Sequence, residues 1–249
     1  MFLSSKNNDI VKYAKSLQDK KYSKEYNECF VESEKVIGDL INLNINVTTI
    51  FFVDKFEEKF NKILKNFTGK VYSINETVAN YLSESKSSSK IFAIVKIPEK
   101  VLDFSKNSII LDNLQDPSNI GAIIRSAKAF GFDNIISING VYPYTYKVIR
   151  SSMGHIFNVN FINLNYEELL DLKAKHNITF VCADMNGKNL KKIEKKHDNI
   201  AIIIGNEGNG VSEILKQKSD LTISIPMEKS VESLNAGIAG SILMYTLMK

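Results

Sequence analysis

The stretch Asn199-Ile200-Ala201-Ile202-Ile203-Ile204-Gly205-Asn206-Glu207-Gly208-Asn209-Gly210 decides the reading of this chain. Its first half is nearly all apolar and β-branched, so it reads as a strand over 199–204 whose two faces are both covered. Its second half is a loop whose glycines can bring backbone N–H and C=O groups against a ligand. A strand buried on both faces belongs to a parallel sheet flanked by helices.

Outward from this strand, the same alternation fills residues 107–249. Strands are predicted over 108–111, 134–137, 179–183 and 221–225, and helices over 119–130, 145–153, 166–175, 211–216 and 235–248. Apolar strands separated by helices predict an α/β domain with a parallel sheet. The N-terminal part is shorter in rhythm. It predicts helices over 9–17, 33–41, 56–67 and 76–82, strands over 29–31, 49–53 and 91–95, and a short extended piece over 71–73. Lys20-Lys21-Tyr22 reads as a lysine-rich turn, and the serine-rich run 83–89 as a loop or exposed edge. This divides the chain into a small α/β sandwich over 1–97, a polar linker over 98–106 and the parallel-sheet domain over 107–249. The glycines divide it the same way: Gly38 and Gly69 precede residue 100, and all others follow from Gly121.

With 249 residues and 44% apolar content, the chain can bury a core in one to two domains. Its apolar runs are far shorter than the ~20 residues that span a bilayer. The first ten residues lack the apolar core of a signal peptide, so a cytoplasmic protein is expected. Cys29 and Cys182 stand alone, as reduced thiols do, and His155, His176 and His197 have no ligand spacing, so no metal is expected. A net charge of +4 permits a polyanionic partner without requiring one. Of the 32 Lys and Arg, only Arg125 and Arg150 are arginine. In so lysine-rich a chain, each marks a position where a flat guanidinium serves and an ammonium does not, unless both pair with buried carboxylates.

Three clusters in the second half carry chemistry. In the first, Leu111-Asp112-Asn113-Leu114 ends a strand, and Asp116-Pro117-Ser118-Asn119-Ile120-Gly121 turns and caps the next helix. Gly121 falls in that helix's first turn, and Arg125 follows one turn later on the same face. A capped helix with a surface arginine is the alternative. The second cluster is the loop after Ile204. It lacks the Gly-Lys-Ser/Thr of a phosphate-binding loop and the spacing of a dinucleotide fingerprint, and Glu207 would repel a pyrophosphate. A backbone-read adenine or ribose fits better, with a flexible turn as the alternative. In the third, Pro226 stops the strand Ile223-Ser224-Ile225, Met227 follows, and Ser233 is a natural cap for the last helix, with Asn235 in its first turn. Ala236, Gly237, Ala239, Gly240 and Ser241 let something approach that helix closely: a ligand, or another helix of this chain or of a second subunit.

These residues carry a resemblance. Asn119-Ile120-Gly121 with Arg125, Gly205-Asn206-Glu207-Gly208, and Ile225-Pro226-Met227 with Ser233-Leu234-Asn235 resemble the three ordered motifs of SpoU-type RNA 2′-O-methyltransferases, of the SPOUT superfamily. Arg150-Ser151-Ser152-Met153-Gly154 resembles the segment between the first two motifs. Asn8, Lys20-Lys21 and Phe30-Val31-Glu32 resemble the ribosomal-protein-like substrate-binding domain of the ribosomal RNA branch. Ser23 stands where that pattern has Arg, and Ser33 where it has Gly. Ala236-Gly237 replaces the usual Val-Ser or Val-Ala.

The resemblance implies a sheet ending in a trefoil knot, a homodimer with the last helix near its interface, and S-adenosylmethionine as methyl donor. Gly205, Asn206, Gly208, Ile225, Met227 and Leu234 would hold the donor. Arg125 would activate the ribose hydroxyl, with Asn119, Glu207, Ser233 and Asn235 orienting Arg125 and the ribose. An arginine keeps its proton at neutral pH and is a poor base, so positioning and polarisation are preferred for it. The implied substrate is large-subunit (23S) ribosomal RNA; transfer RNA, or a non-catalytic RNA-binding role in ribosome assembly, are the alternatives.

Overall fold

The computed structural model describes every residue except 86–87, 194–198, 229 and 249. The chain forms two compact units: Met1–Glu99 with Tyr144–Phe157, and Lys100–Pro143 with Asn158–Lys249.

In the first unit the elements run β1 (Phe2–Leu3), α1 (Asp9–Ser16), α2 (Lys20–Tyr26), β2 (Glu28–Val31), α3 (Glu34–Asn42), β3 (Val47–Val53), α4 (Glu57–Lys65), β4 (Lys70–Ile74), α5 (Glu76–Leu82) and β5 (Ile91–Lys96). The sheet order is β1-β4-β3-β5-β2. β1, β4 and β3 pair in parallel, while β5 and β2 join antiparallel. Phe30, Phe51, Phe92, Val78 and Leu82 pack in one core against Val11 and Leu17 from the α1 region. The predicted turn at Lys20-Lys21-Tyr22 is instead the start of α2. Asp19 caps it by accepting from the Lys21 N–H at 2.7 Å, and the Lys and Glu that follow are good helix formers. β1 was not predicted; two residues are too few to show a period. In the serine run, Glu32 is buried and accepts from the Ser83 hydroxyl and the Glu84 and Ser89 N–H groups, which ties that loop to β2.

The second unit begins with β6 (Ser108–Asp112), α6 (Pro117–Phe130) and β7 (Asn134–Ile138). α7 (Tyr146–Ser151) packs with the first unit. There follow β8 (Asn160–Leu164), α8 (Tyr166–His176), β9 (Thr179–Asn189), β10 (Ile200–Ile204), α9 (Glu213–Lys218), β11 (Leu221–Ser224) and α10 (Ala236–Leu247). The sheet order is β11-β9-β10-β6-β7-β8, and every pairing is parallel. The predicted strand over 199–204 sits at its centre, all five residues of β10 buried. The alternation of strand and helix is therefore as expected, with β8 added: its Asn160, Asn163 and Leu164 are only partly buried or exposed, as suits an edge strand, and its apolar period is too weak to read.

Three further boundaries differ. β9 runs past Ala183, because its pairing with β11 resumes at Lys188 and Asn189 after residues 183–187 loop out. α6 starts at Pro117, capped by Asp116, so Gly121 lies beyond the first turn. α10 starts at Ala236, so Asn235, not Ser233, is its cap. Among the described residues no helix is long and apolar enough to cross a membrane, and no cluster of His, Cys, Asp or Glu could hold a metal ion. His197 lies outside the described residues. Cys29 and Cys182 are buried and unpaired, and burial pushes the Cys182 thiol up to about 11.

Candidate active site

Ligands of open parallel sheets sit beyond the carboxyl ends of the strands. Here the ends of β9, β10 and β11 and the segment before α10 surround a cavity of about 800 Å³. Gly205, Asn206, Gly208, Ile225, Met227 and Leu234 all line it, as do Glu207, Ser233 and Asn235. Residues missed in the sequence line it too: Asp184 and Asn186 from the excursion of β9, Lys216 from α9, and Glu232. The rule that names strand ends as ligand sites pointed at residues 184–186, because the strand expected over 179–183 stops just before them.

The loop after β10 is closed on itself. Asn206 and Gly210 exchange backbone hydrogen bonds of 3.0 and 2.9 Å. The Asn206 side chain accepts from the Gly208 and Asn209 N–H groups, at 3.0 and 3.2 Å, and donates to the Asn113 carbonyl at 3.0 Å. Gly205 is required by close approach: a Cβ there would lie 2.1 Å from the Gly210 carbonyl carbon. At the end of β6, Asp112 is fully buried. It accepts from the Asn113 side chain and the Tyr166 hydroxyl, each at 2.8 Å, and from the Ser212 N–H at 2.7 Å. That carboxylate fastens the segment that follows the glycine loop.

A polar line joins three of the candidate residues. Asn235 Oδ1 accepts from the Gly237 and Ile238 N–H groups, at 3.0 and 3.2 Å, so it caps α10. Asn235 Nδ2 donates to Asn119 Oδ1 at 2.7 Å, and Asn119 Nδ2 donates to Glu207 Oε1 at 2.9 Å. Both ends fix the direction of this line. Helix N–H groups can only donate and an ionised carboxylate can only accept, so both amides have one permitted orientation. Asp at position 119 or 235 could not continue it. Asn119 is 5% exposed, so its amide needs both partners.

The structure does not bring Arg125 or Ser233 into this line. Arg125 is exposed and makes no hydrogen bond or ion pair among the described residues; it does not line the cavity. The helix geometry explains this. Arg125 follows Asn119 by six positions, which places the two about 120° apart around α6. The expectation that Asn119, Glu207, Ser233 and Asn235 orient Arg125 by hydrogen bonds is thus not met in this chain alone. Nor does Arg125 pair with a buried carboxylate. Ser233 is exposed at the cavity wall.

The small residues of α10 face α6 of the same chain. A Cβ on Gly237 would lie 3.1 Å from the Ala122 Cβ, and one on Gly240 3.3 Å from Ile123. Ser126 and Ser241 share a hydrogen bond of 2.7 Å across that contact. Tight packing within the chain accounts for Gly237, Gly240 and Ser241, Ala236 and Ala239 line the cavity, and Ile238 and Tyr245 on α10 stay exposed.

On the cavity wall, Asp184 and Lys216 form an ion pair of 2.9 Å. The Asn186 backbone N–H, followed by the Lys216 ammonium, holds the Asp184 carboxyl below the usual carboxylate range.

Comparison with known proteins agrees with this arrangement. Residues 106–245 match the model of the SpoU rRNA Methylase family, and residues 8–93 match the MRM3-like substrate binding domain. The 23S rRNA (guanosine(2553)-2′-O)-methyltransferase RlmP of Bacillus subtilis is 30% identical over 248 residues, 98% of each chain. An AdoMet-bound rRNA methyltransferase from Sinorhizobium meliloti superimposes with a TM-score of 0.87 at 23% identity, over 99% of this chain and 97% of that one. The SpoU methyltransferase AviRb from Streptomyces viridochromogenes, in complex with AdoMet, gives 0.86 at 24%, over 97% of each. These two likenesses establish the fold.

Proposed function

The chain belongs to the SpoU rRNA methylase family, and on that premise we propose that it moves a methyl group from S-adenosylmethionine to a ribose 2′-hydroxyl of large-subunit ribosomal RNA. One observation carries this reading. The line Asn235–Asn119–Glu207 ties two loops together at a cavity built from three parallel strand ends. Ribosomal RNA is favoured over transfer RNA by the substrate-binding match over 8–93 and by the RlmP relative, which aligns along nearly the whole chain. The same reading divides the chain into an RNA-binding domain over 1–97, a linker over 98–106 and a methyltransferase domain over 107–249, and puts the protein in the cytoplasm.

The residues present fit the donor. About 800 Å³ suits a nucleoside-sized ligand. Ile204, Ile223, Ile225 and Leu234 offer apolar wall, and the backbone crossing at Gly205 leaves no room for a side chain. Gly205, Asn206, Gly208, Ile225, Met227 and Leu234 would hold it. When bound, S-adenosylmethionine supplies an electrophilic methyl group on a sulfonium. A trefoil knot belongs to the same reading.

The protein's own task is to align the ribose hydroxyl and assist its deprotonation. Arg125 takes the positioning and polarising role, through the hydroxyl and an adjacent phosphate. A guanidinium left exposed and unpaired is available to an incoming anion. Because it lies outside the lining of its own chain's cavity, it serves best in a homodimer, beside the cavity of the partner. The exposed Ile238 and Tyr245 on α10 support such a pairing. Asn119, Glu207 and Asn235 keep the two loops in register, and Ser233 offers a hydroxyl at the wall.

The test is transfer of tritiated methyl to ribosomal RNA, with mapping of 2′-O-methyl sites in RNA from cells with and without the gene. Activity is expected to vanish in Arg125→Ala and largely in Arg125→Lys. Full activity in both variants would remove Arg125 from the mechanism. A calorimetric titration without S-adenosylmethionine binding would overturn the enzyme reading.

A further inference from the structure

Arg150, the other arginine of this lysine-rich chain, has no place in the chemistry above. It lies on α7, which packs with the first unit, and it is exposed. No carboxylate meets it among the described residues. Its guanidinium lies 5.9 Å from the centre of the Tyr146 ring, one helical turn back, and Nη1 donates to the Tyr146 hydroxyl at 3.2 Å. The Tyr146 hydroxyl anchors one edge of the guanidinium, and its remaining donors meet no partner among the described residues.

The charge around it is one-sided. Between Asp133 and Glu167 the chain carries neither Asp nor Glu. Lys147, exposed, stands three residues before Arg150 and so shares its face of α7. Glu84 is close enough for its carboxyl to feel the Lys147 charge. An arginine retained for structure would be paired with an acid. One anchored by an edge to a tyrosine hydroxyl, beside a lysine and without an acidic partner among the described residues, is suited to an anionic ligand with two oxygens for its fork.

We propose that Arg150, seated on Tyr146 and flanked by Lys147, is a phosphate-contact site for the backbone of a single-stranded stretch of the RNA substrate. The proposal rests on the RNA methyltransferase reading and adds a second contact point, carried by the first unit. A phosphate contact positions RNA and reads no bases.

The test uses the full chain and a labelled single-stranded oligouridylate, titrated by fluorescence anisotropy at several salt concentrations. Methyl transfer to ribosomal RNA is measured in parallel. Arg150→Gln is expected to weaken oligouridylate binding about three- to tenfold and to flatten the plot of log affinity against log salt by ~0.7, one counterion from a single strand. Lys147→Gln lowers the slope by the same amount. Arg150→Lys and Tyr146→Leu keep the slope and lose about two- to threefold in affinity, because charge remains and the anchored fork does not. In methyl transfer, Arg150→Gln raises KM for RNA and leaves kcat and S-adenosylmethionine affinity unchanged. If Arg150→Gln and Lys147→Gln, both folded by circular dichroism, match the wild type in affinity and slope, the proposal is overturned. Should the wild type methylate no RNA while oligouridylate binding still depends on Arg150, the enzyme reading fails and the contact stands.

Discussion

Replacing Gly205 with alanine tests whether the cavity depends on the backbone crossing behind it. The added Cβ would lie 2.1 Å from the Gly210 carbonyl carbon, 2.2 Å from the Val211 nitrogen and 2.3 Å from the Gly210 oxygen. Atoms of this kind settle about 3.5 Å apart, so the loop must retreat by more than ~1 Å. All three obstacles are backbone, and no rotamer change relieves them. Such a retreat pulls apart the reciprocal Asn206–Gly210 bonds of 3.0 and 2.9 Å. The overpacking strain and the two lost bonds together cost about 2–6 kcal/mol. The control is Gly208→Ala in the same loop, whose Cβ would meet nothing nearer than Asn206 Oδ1 at 3.6 Å and should cost within about 0.5 kcal/mol. Because the chain has two units, a single unfolding midpoint is a poor readout. Amide hydrogen exchange in a peptide covering 200–212 reads the loop directly. Gly205→Ala is expected to exchange there at least ~30-fold faster than wild type, with S-adenosylmethionine affinity lost, while Gly208→Ala exchanges like wild type. Wild-type exchange rates and wild-type S-adenosylmethionine affinity in Gly205→Ala would refute the reasoning.

Three other outcomes follow from the hydrogen bonds. Asn119→Asp sets an acceptor against Glu207 and should lower kcat by about 10–100-fold, the worth of a bond to a charged group. Adding Glu207→Gln restores a donor facing an acceptor, and partial recovery of kcat in the double variant checks the direction of the line. Asp112→Asn must turn its amide N–H₂ toward either the Ser212 N–H or the Asn113 amide, both donors. A local cost of about 1–3 kcal/mol is expected, read as faster exchange at Ser212. Asp184 has its carboxyl held low by the Asn186 backbone N–H and by Lys216, so its contribution to stability is present above the ordinary carboxylate pKa of ~3.9 and lost as pH falls through the lower folded value. The stability gap between wild type and Asp184→Asn should therefore be full near neutral pH and close below about pH 4, as followed by amide hydrogen exchange in a peptide covering 180–190 across that range.

The parallel sheet was legible because β10 and its neighbours are buried on both faces, and an unbroken apolar run has no other easy explanation. The loops were legible for a different reason: in a chain poor in glycine, Gly205, Gly208 and Gly210 stand out. What the sequence concealed was short or irregular. β1 has two residues, and the excursion of β9 depends on where β11 happens to pair. The caps were half legible. Asp116 and Asn235 follow N-cap preference, yet Ser233 follows it as well, and only the true start of α10 separates the two candidates. Left-handed backbone at helix ends also hid, since Asn27 and Asn177 take the position that glycine usually marks.

Arg125 and Glu207 looked like parts of one constellation, and the structure separates their duties. Glu207 meets neutral amides of Asn119 and Asn206, and its line ends on the N-terminus of α10. Among the described residues, the charged groups that line the cavity are Asp184, Glu207, Lys216 and Glu232. Asp184 and Lys216 compensate each other. Glu207 and Glu232 are left, so the described part of the lining is net negative, which favours a cationic occupant over a neutral one of the same shape. A donor that carries a sulfonium loses that positive charge with its methyl group. On the proposed reading, such a lining would hold the charged donor more tightly than the spent one, without any contribution from Arg125, which lies outside the cavity lining.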